Sequence, residues 1–388
     1  MISVEQAFKI IDTIQPLDPI NISIQEALGY SLAEDVISPI NMPPFNQSAM
    51  DGYAVNGTGD RFSLVGEIKA GDNASSLLLQ QGEAVRIFTG AMVPTSATSV
   101  IRQEIVEKSE NSIQITATYE QNQNIRFIGE QIEKGAVAAK ERTLITPGVL
   151  GFLVGLGIDT VSAFRKPSIA ILVTGDELIP SNETLTPGKI YESNSFMLQA
   201  AFRSIGYEAT IDGVKDNFEA TKQQLAALIS SNDFIIVTGG ISVGDYDYVG
   251  KALSELGTEE LFYKVKQKPG KPLYLGKNGN SYIFGLPGNP GAALSCFYIY
   301  VTAVLAQLTG RKAPFFPPRV VELTHDYTKP KGLTQFLKAN FKGDAVTILS
   351  HQSSAMLNIY TDTNCILRLE ENDTDWNVAD EVVIYPID

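Results

Sequence analysis

The residues best suited to chemistry fall between positions 234 and 290. An apolar run ends in Thr238-Gly239-Gly240, a lysine-rich run holds Lys264, Lys268 and Lys271, and a second apolar run ends in Gly285-Leu286-Pro287-Gly288-Asn289-Pro290. Glycine-rich loops at strand tips turn backbone N–H groups toward an anion. Lysine supplies a point charge that suits phosphate. Asp176, Glu177, Asp216, Asp245 and Asp247 fall near strand ends of the same region, and magnesium takes a few carboxylates together with phosphate oxygens and water. The fitting chemistry is a phosphorylated ligand held with a divalent metal.

Plainer readings apply to the same residues. Asn289 with Pro290 reads as a helix N-cap followed by the first helical position, and a helix start is also an anion site. Loop carboxylates often only cap turns. Gly240-Ile241-Ser242-Val243-Gly244 matches the pentapeptide of a serine-hydrolase elbow, yet the only histidines, His325 and His351, lie far along the chain. The run 244–251 resembles a nucleotide P-loop, but it is one residue too long and is followed by Ala252, not Ser or Thr. Two cysteines and two histidines at these spacings make no zinc site.

The elements that must position these loops follow from periodicity. Segments 169–173, 195–205, 209–213, 218–229 and 234–237 alternate strand and helix signals, which predicts a doubly wound α/β domain over 167–312 with ligands beyond the carboxyl ends of its strands. Ser3 with Gln6 and Ser23 with Glu26 match the capping pattern, which predicts two short opening helices. A helical signal returns over 144–158. Between them, 43–139 reads as short strands separated by polar turns. The chain is therefore expected to be multi-domain α/β. An elongated N-terminal helical region (1–42 plus 140–166) carries an inserted β-rich domain (43–139), and a small β domain (313–388) follows a proline-rich linker.

Bulk properties narrow the partners. In 388 residues, 44% are hydrophobic and 19% charged, which suits several folded domains. A net charge of −14 argues against nucleic acid. Five lysines and no acid between 264 and 277 make a local basic patch on this acidic chain. Cys296 and Cys365, both in apolar contexts, predict no disulfide and a reducing compartment, and the N-terminus lacks the regions of a signal peptide, so the expected location is cytoplasmic. The apolar run 290–308 is nearly long enough to cross a bilayer. Its position after a glycine-rich loop predicts a buried crossover helix and no membrane association.

Together these motifs resemble the molybdopterin molybdenumtransferase (MoeA) family, which is similar to the C-terminal domain of gephyrin. The resemblance rests on Pro43-Pro44-Phe45-Asn46-Gln47-Ser48-Ala49-Met50-Asp51-Gly52-Tyr53-Ala54, Thr89-Gly90-Ala91, Asn124-Ile125-Arg126 with Gly129-Glu130, and Thr174-Gly175-Asp176-Glu177-Leu178. It continues through Thr238-Gly239-Gly240-Ile241-Ser242-Val243-Gly244, Lys268-Pro269-Gly270-Lys271-Pro272 and the 285–290 loop. It implies insertion of molybdate into adenylylated molybdopterin with Mg2+, release of AMP, and an elongated homodimer. It further implies transient contact with a molybdopterin adenylyltransferase and with recipient molybdoenzymes. Carried over by motif, Asp51 and Thr89 would line the cleft from the N-terminal side, across the dimer. Glu177, Asp216 and Asp247 would face it as metal ligands, with Lys264 and Lys268 on the anions. Thr238, Gly239, Gly240, Ser242, Lys271, Gly285, Pro287, Gly288, Asn289 and Pro290 would hold substrate. Asn46-Gln47, Gln131 and the Gln352-Ser353-Ser354 run depart from the family pattern, the last expected to touch no chemistry. The rival readings are a molybdopterin adenylyltransferase and a non-catalytic scaffold on the same fold.

Overall fold

A computed structural model describes residues 1–240 and 248–387. Its centre is a six-stranded sheet ordered Thr210–Val214, Ile169–Thr174, Phe234–Thr238, Ser281–Leu286, Tyr274–Asn278 and Glu259–Tyr263. The first four strands pair in parallel, and the fifth pairs antiparallel with both of its neighbours. Every residue of Ile169–Thr174, Phe234–Thr238 and Ser281–Leu286 is buried, as strands covered on both faces require. Their side chains alternate between two cores. Ile169, Ile171, Phe234, Ile236 and Phe284 join a layer with the helices Asn194–Ser204 and Pro290–Leu308. Ala170, Leu172, Ile235 and Val237 join one with Phe218–Ser231 and Tyr248–Glu255. This is the expected doubly wound arrangement.

The Pro290–Leu308 helix is the one helix among the described residues long and apolar enough to cross a bilayer, and it is packed inside the first core layer. A π-helical turn interrupts it at Phe297–Val301.

The N-terminal part differs from expectation. Ser3 and Gln6 do form a reciprocal capping box on the helix Val4–Ile11, but that helix packs through Val4, Ala7 and Ile11 into the α/β core. The second expected helix is absent. Ser23 ends the strand Pro19–Ser23, and Glu26 N–H closes a turn on the Ser23 carbonyl. Ladder pairing with Thr160–Phe164 outcompetes a capping pattern that lacks a long helical stripe to follow it. The region carries paired ribbons, including Val36–Ile37 with Val137–Ala139, and one further helix, Pro147–Gly155. Beyond the ribbons lies a six-stranded sheet ordered Ser99–Arg102, Gly52–Val55, Glu83–Ile87, Arg61–Ile68, Ser112–Ile115 and Val106–Lys108.

At the other end, Thr334–Lys342, Ala345–Ile348, Arg319–Leu323, Glu381–Pro386 and Cys365–Leu369 pair in a closed ring, since the first also pairs with the last. Each of these five strands therefore has a partner on both sides for part of its length. The strand Gln267–Lys268 adds alongside Thr334–Lys342 in parallel, so the lysine loop is stitched to the C-terminal domain.

Candidate functional site

A cleft of about 1270 Å³ opens at the carboxyl end of the parallel strands. Thr174 and Thr238 end two adjacent strands at its floor. Gly239 has φ +90°, and an added Cβ would stand 2.6 Å from the Thr174 carbonyl oxygen. Only glycine tolerates both the left-handed backbone and so close an approach. Gly240, at φ +64°, is crowded in the same way by Val249 and Thr174. The Gly288 loop abuts this turn, its missing Cβ position lying 3.9 Å from Gly239 Cα.

Pro287, Gly288, Asn289 and Pro290 form the opposite wall, and Pro290 occupies the first turn of the long helix. Asn289 stands at the N-cap position, yet its side chain does not cap. Its Nδ2 donates to Ser354 Oγ at 2.9 Å, and the Ala292 N–H donates to the Ser354 carbonyl at 3.0 Å. Gln352, Ser353 and Ser354 therefore line the cleft, which corrects the expectation that this run touches no chemistry. Three bonds fix the loop from behind. Gln352 pairs with both backbone groups of Lys338, and the buried Lys338 ammonium donates to the Ser353 carbonyl at 3.0 Å. The left-handed residue of the loop is His351, at φ +64°, so a serine at 353 carries no backbone strain.

Of the five clustered lysines, Lys268 and Lys271 line the cleft. The patch is otherwise dispersed, since the left-handed backbone at Lys264 (φ +63°) interrupts the extended run and the remaining lysines find other partners. Lys266 pairs with Glu371 at 3.1 Å, Lys277 lies over the Tyr282 ring, and Lys264 lies 4.7 Å from the Tyr263 ring centroid. Lys264 is not among the residues lining the cleft. Gly285 is likewise outside it, buried within its strand opposite Val237 and Tyr274.

Among the expected metal ligands, Glu177 stands at the rim with its carboxylate folded over Gly175. Asp216 is not among the residues lining the cleft; it accepts from the Thr174 hydroxyl and, at 3.3 Å, from the Asp176 N–H. Asp247, Asp245 and Ser242 lie outside the described residues. Among those described, no three His, Cys, Asp or Glu side chains converge as a metal cage.

Asp51 and Thr89 lie together on the β-rich domain and do not line this cleft within the same chain. Thr89 donates both its N–H and its hydroxyl to Asp51 Oδ1, each at 2.8 Å, and these bonds hold the Asp51 carboxyl below its ordinary pKa. Gly52 leaves no room for a side chain, since its Cβ would fall 1.9 Å from the Ile101 carbonyl oxygen. Asn46 accepts from the Ile128 N–H at 2.9 Å, a bond that an aspartate would also make.

One cleft residue had no local signal. Asn194, at the start of its helix, donates to Thr238 Oγ1 at 2.9 Å and to the Gly288 carbonyl at 2.8 Å. It ties the two glycine loops together from 44 and 94 positions away in sequence. Glu192 is committed to Ser195, accepting from its N–H and hydroxyl.

Family models match along nearly the whole chain: the MoeA N-terminal region (domain I and II) over 2–157, a probable molybdopterin binding domain over 170–307, and the MoeA C-terminal region (domain IV) over 320–387. A molybdopterin molybdenumtransferase of Haemophilus influenzae is 35% identical over 376 residues, covering 94% of this chain and 93% of its own. One from Staphylococcus epidermidis is 33% identical, covering 87% and 83%. The crystal structure of a molybdopterin biosynthesis MoeA protein from Pyrococcus horikoshii superposes with a TM-score of 0.85 over all of both chains at 26% identity. With all three family regions present in order and a relative 35% identical along nearly the whole chain, the chain belongs to the MoeA family of molybdopterin molybdenumtransferases.

Proposed function

We propose that the protein inserts molybdate into adenylylated molybdopterin, forming molybdenum cofactor and releasing AMP. The observation that carries this reading is the cleft where Gly239-Gly240, Lys268, Lys271 and the Pro290 helix start converge. Molybdate is an oxyanion and the carrier bears a pyrophosphate, so charge placement and orientation supply the catalysis, without a protein nucleophile. Lys268 and Lys271 offset ligand charge, and the stiff 287–290 loop fixes where the anion sits. Mg2+ fits a donor set of this kind because it binds through one or two carboxylates plus substrate oxygens and water. Glu177 and Asp216 are the described residues that would hold it, with Asp247 as the third, and the ion would neutralise phosphate charge during transfer.

The functional unit in this reading is a cytoplasmic homodimer in which Asp51 and Thr89 of the second copy complete the cleft. Their absence from the lining of their own chain's cleft supports that arrangement. A rival adenylyltransferase reading is disfavoured by the N-terminal and C-terminal MoeA regions. The test incubates purified protein with adenylylated molybdopterin, Mg2+ and molybdate and measures AMP and cofactor. Molybdate-dependent AMP release is expected; its absence overturns the proposal.

A further inference from the structure

Beneath the Lys268 to Lys271 turn lies a buried polar group that the cleft residues do not explain. Gln267 is 1% exposed, and each end of its amide is assigned by a partner of one kind. Its Nε2 donates to the Gly270 carbonyl at 3.1 Å and points at Cys296 Sγ at 3.6 Å, while its Oε1 accepts the hydroxyl of Tyr300. A carbonyl only accepts, so the amide has one orientation.

Tyr300 is fully buried and sits in the π-helical turn of the long helix. Such turns reposition side chains inside otherwise regular helices and often occur at functional sites. Its ring stacks on Phe8 and meets Phe336 edge-on, so packing fixes where the hydroxyl points. The same helix begins at Pro290 on the opposite wall of the cleft. Gly270 is closed from below, since its Cβ would stand 2.5 Å from Cys296 Sγ. Burial pushes the Cys296 thiol up to about 12, which keeps it a neutral packing group.

We infer that Tyr300 and Gln267 are positioning residues that set the Lys268–Lys271 turn at a fixed distance from the helix start, so that one helix holds both walls of the anion site. This rests on the proposed role of the two lysines as ligands of the substrate's anionic groups. Tyr300→Phe keeps the ring and removes the hydroxyl, leaving Gln267 Oε1 buried without its donor.

The test measures AMP affinity of the full chain by calorimetry for the wild type, Tyr300→Phe, the double variant Lys268→Ala/Lys271→Ala, and the triple variant. Amide hydrogen exchange over 266–272 is followed in parallel. Tyr300→Phe is expected to weaken AMP binding about tenfold in the wild-type background and by less than about twofold where the lysines are gone, because it acts through them. Exchange at 268–271 is expected to speed up. An affinity within about twofold of wild type, an equal loss in both backgrounds, or unchanged exchange overturns the inference. If the lysine-free variant binds AMP as tightly as wild type, the lysines' role in the proposed function falls, and hydrogen exchange still decides whether Tyr300 sets the turn.

Discussion

Asp233 offers a clean separation of stability from activity. It stands just before the strand Phe234–Thr238, whose far end carries the cleft, about 17 Å away at the rise of a strand. Arg165 Nη1 and Nη2 each donate to its carboxylate at 2.6 Å, and Ser168 adds its N–H and hydroxyl at 2.8 Å. The side chain is 12% exposed. Burial by itself raises the pKa, but the Arg165 and Ser168 hydrogen bonds and the guanidinium charge outweigh it and bring it from 3.8 to about 2. At 1.36 kcal/mol per unit, that depression corresponds to about 2 kcal/mol of stability. The folded-state value is the lower one, so the contribution is complete above 3.8 and is lost as pH falls through the interval toward 2.

Asp233→Asn removes the charge and leaves Arg165 half-buried without its partner. Urea unfolding of wild type and variant should therefore differ by about 2 kcal/mol at pH 7, with a gap that closes below pH 3.8. AMP release by the folded variant should match wild type. A gap under about 0.5 kcal/mol at pH 7, or one that widens in acid, refutes the assignment of this stability to the ionised pair.

Two further outcomes are expected. Gly239→Ala places a Cβ 2.6 Å from the Thr174 oxygen at φ +90° and should abolish AMP release while costing about 2 kcal/mol or more of stability, whereas Gly213→Ala, with nothing within 4 Å, should be near neutral by melting and by turnover; equal effects at the two positions would contradict the crowding argument. Mixing inactive Asp51→Ala protein with inactive Lys268→Ala protein should restore AMP release, because a mixed dimer holds one intact cleft. No recovery after subunit exchange argues against a cleft shared between copies.

Much of the α/β core was legible because its strands are continuous apolar runs and its turns are glycine-rich, both local signals. The three wall segments of the cleft could be read for the same reason. Ser23 with Glu26 misled because a capping pattern says nothing about whether a strand partner 137 positions away, Thr160, will claim the residue. Asn194, Ser354 and the Gln267 pairing with Thr334 were illegible on similar grounds. Each depends on a contact made only once the chain has folded, and a single serine or asparagine has no periodicity to announce it. Lys264 and Gly285 show the converse limit. Both belong to the right motifs, but Lys264 sits at a left-handed backbone kink that breaks the strand alternation, and Gly285 is paired within its strand before the loop begins.

The charge balance bears on why such fixed geometry suits this site. A chain of net charge −14 repels an anionic ligand at long range, although salt at physiological strength confines that repulsion to about 8 Å. Attraction must therefore come from groups close to the bound anion. Lys268 and Lys271 are exposed, and flexible lysines lose side-chain entropy when they are held. A turn anchored from below by Gln267, fastened to the C-terminal strand Thr334–Lys342 and faced by a proline-stiffened helix start fixes the backbone beforehand. Less ordering then remains to be done on binding. The C-terminal domain contributes to the same end through Ser354, which joins the Asn289 side chain to the cleft wall, so its coupling to the central domain belongs to the site itself.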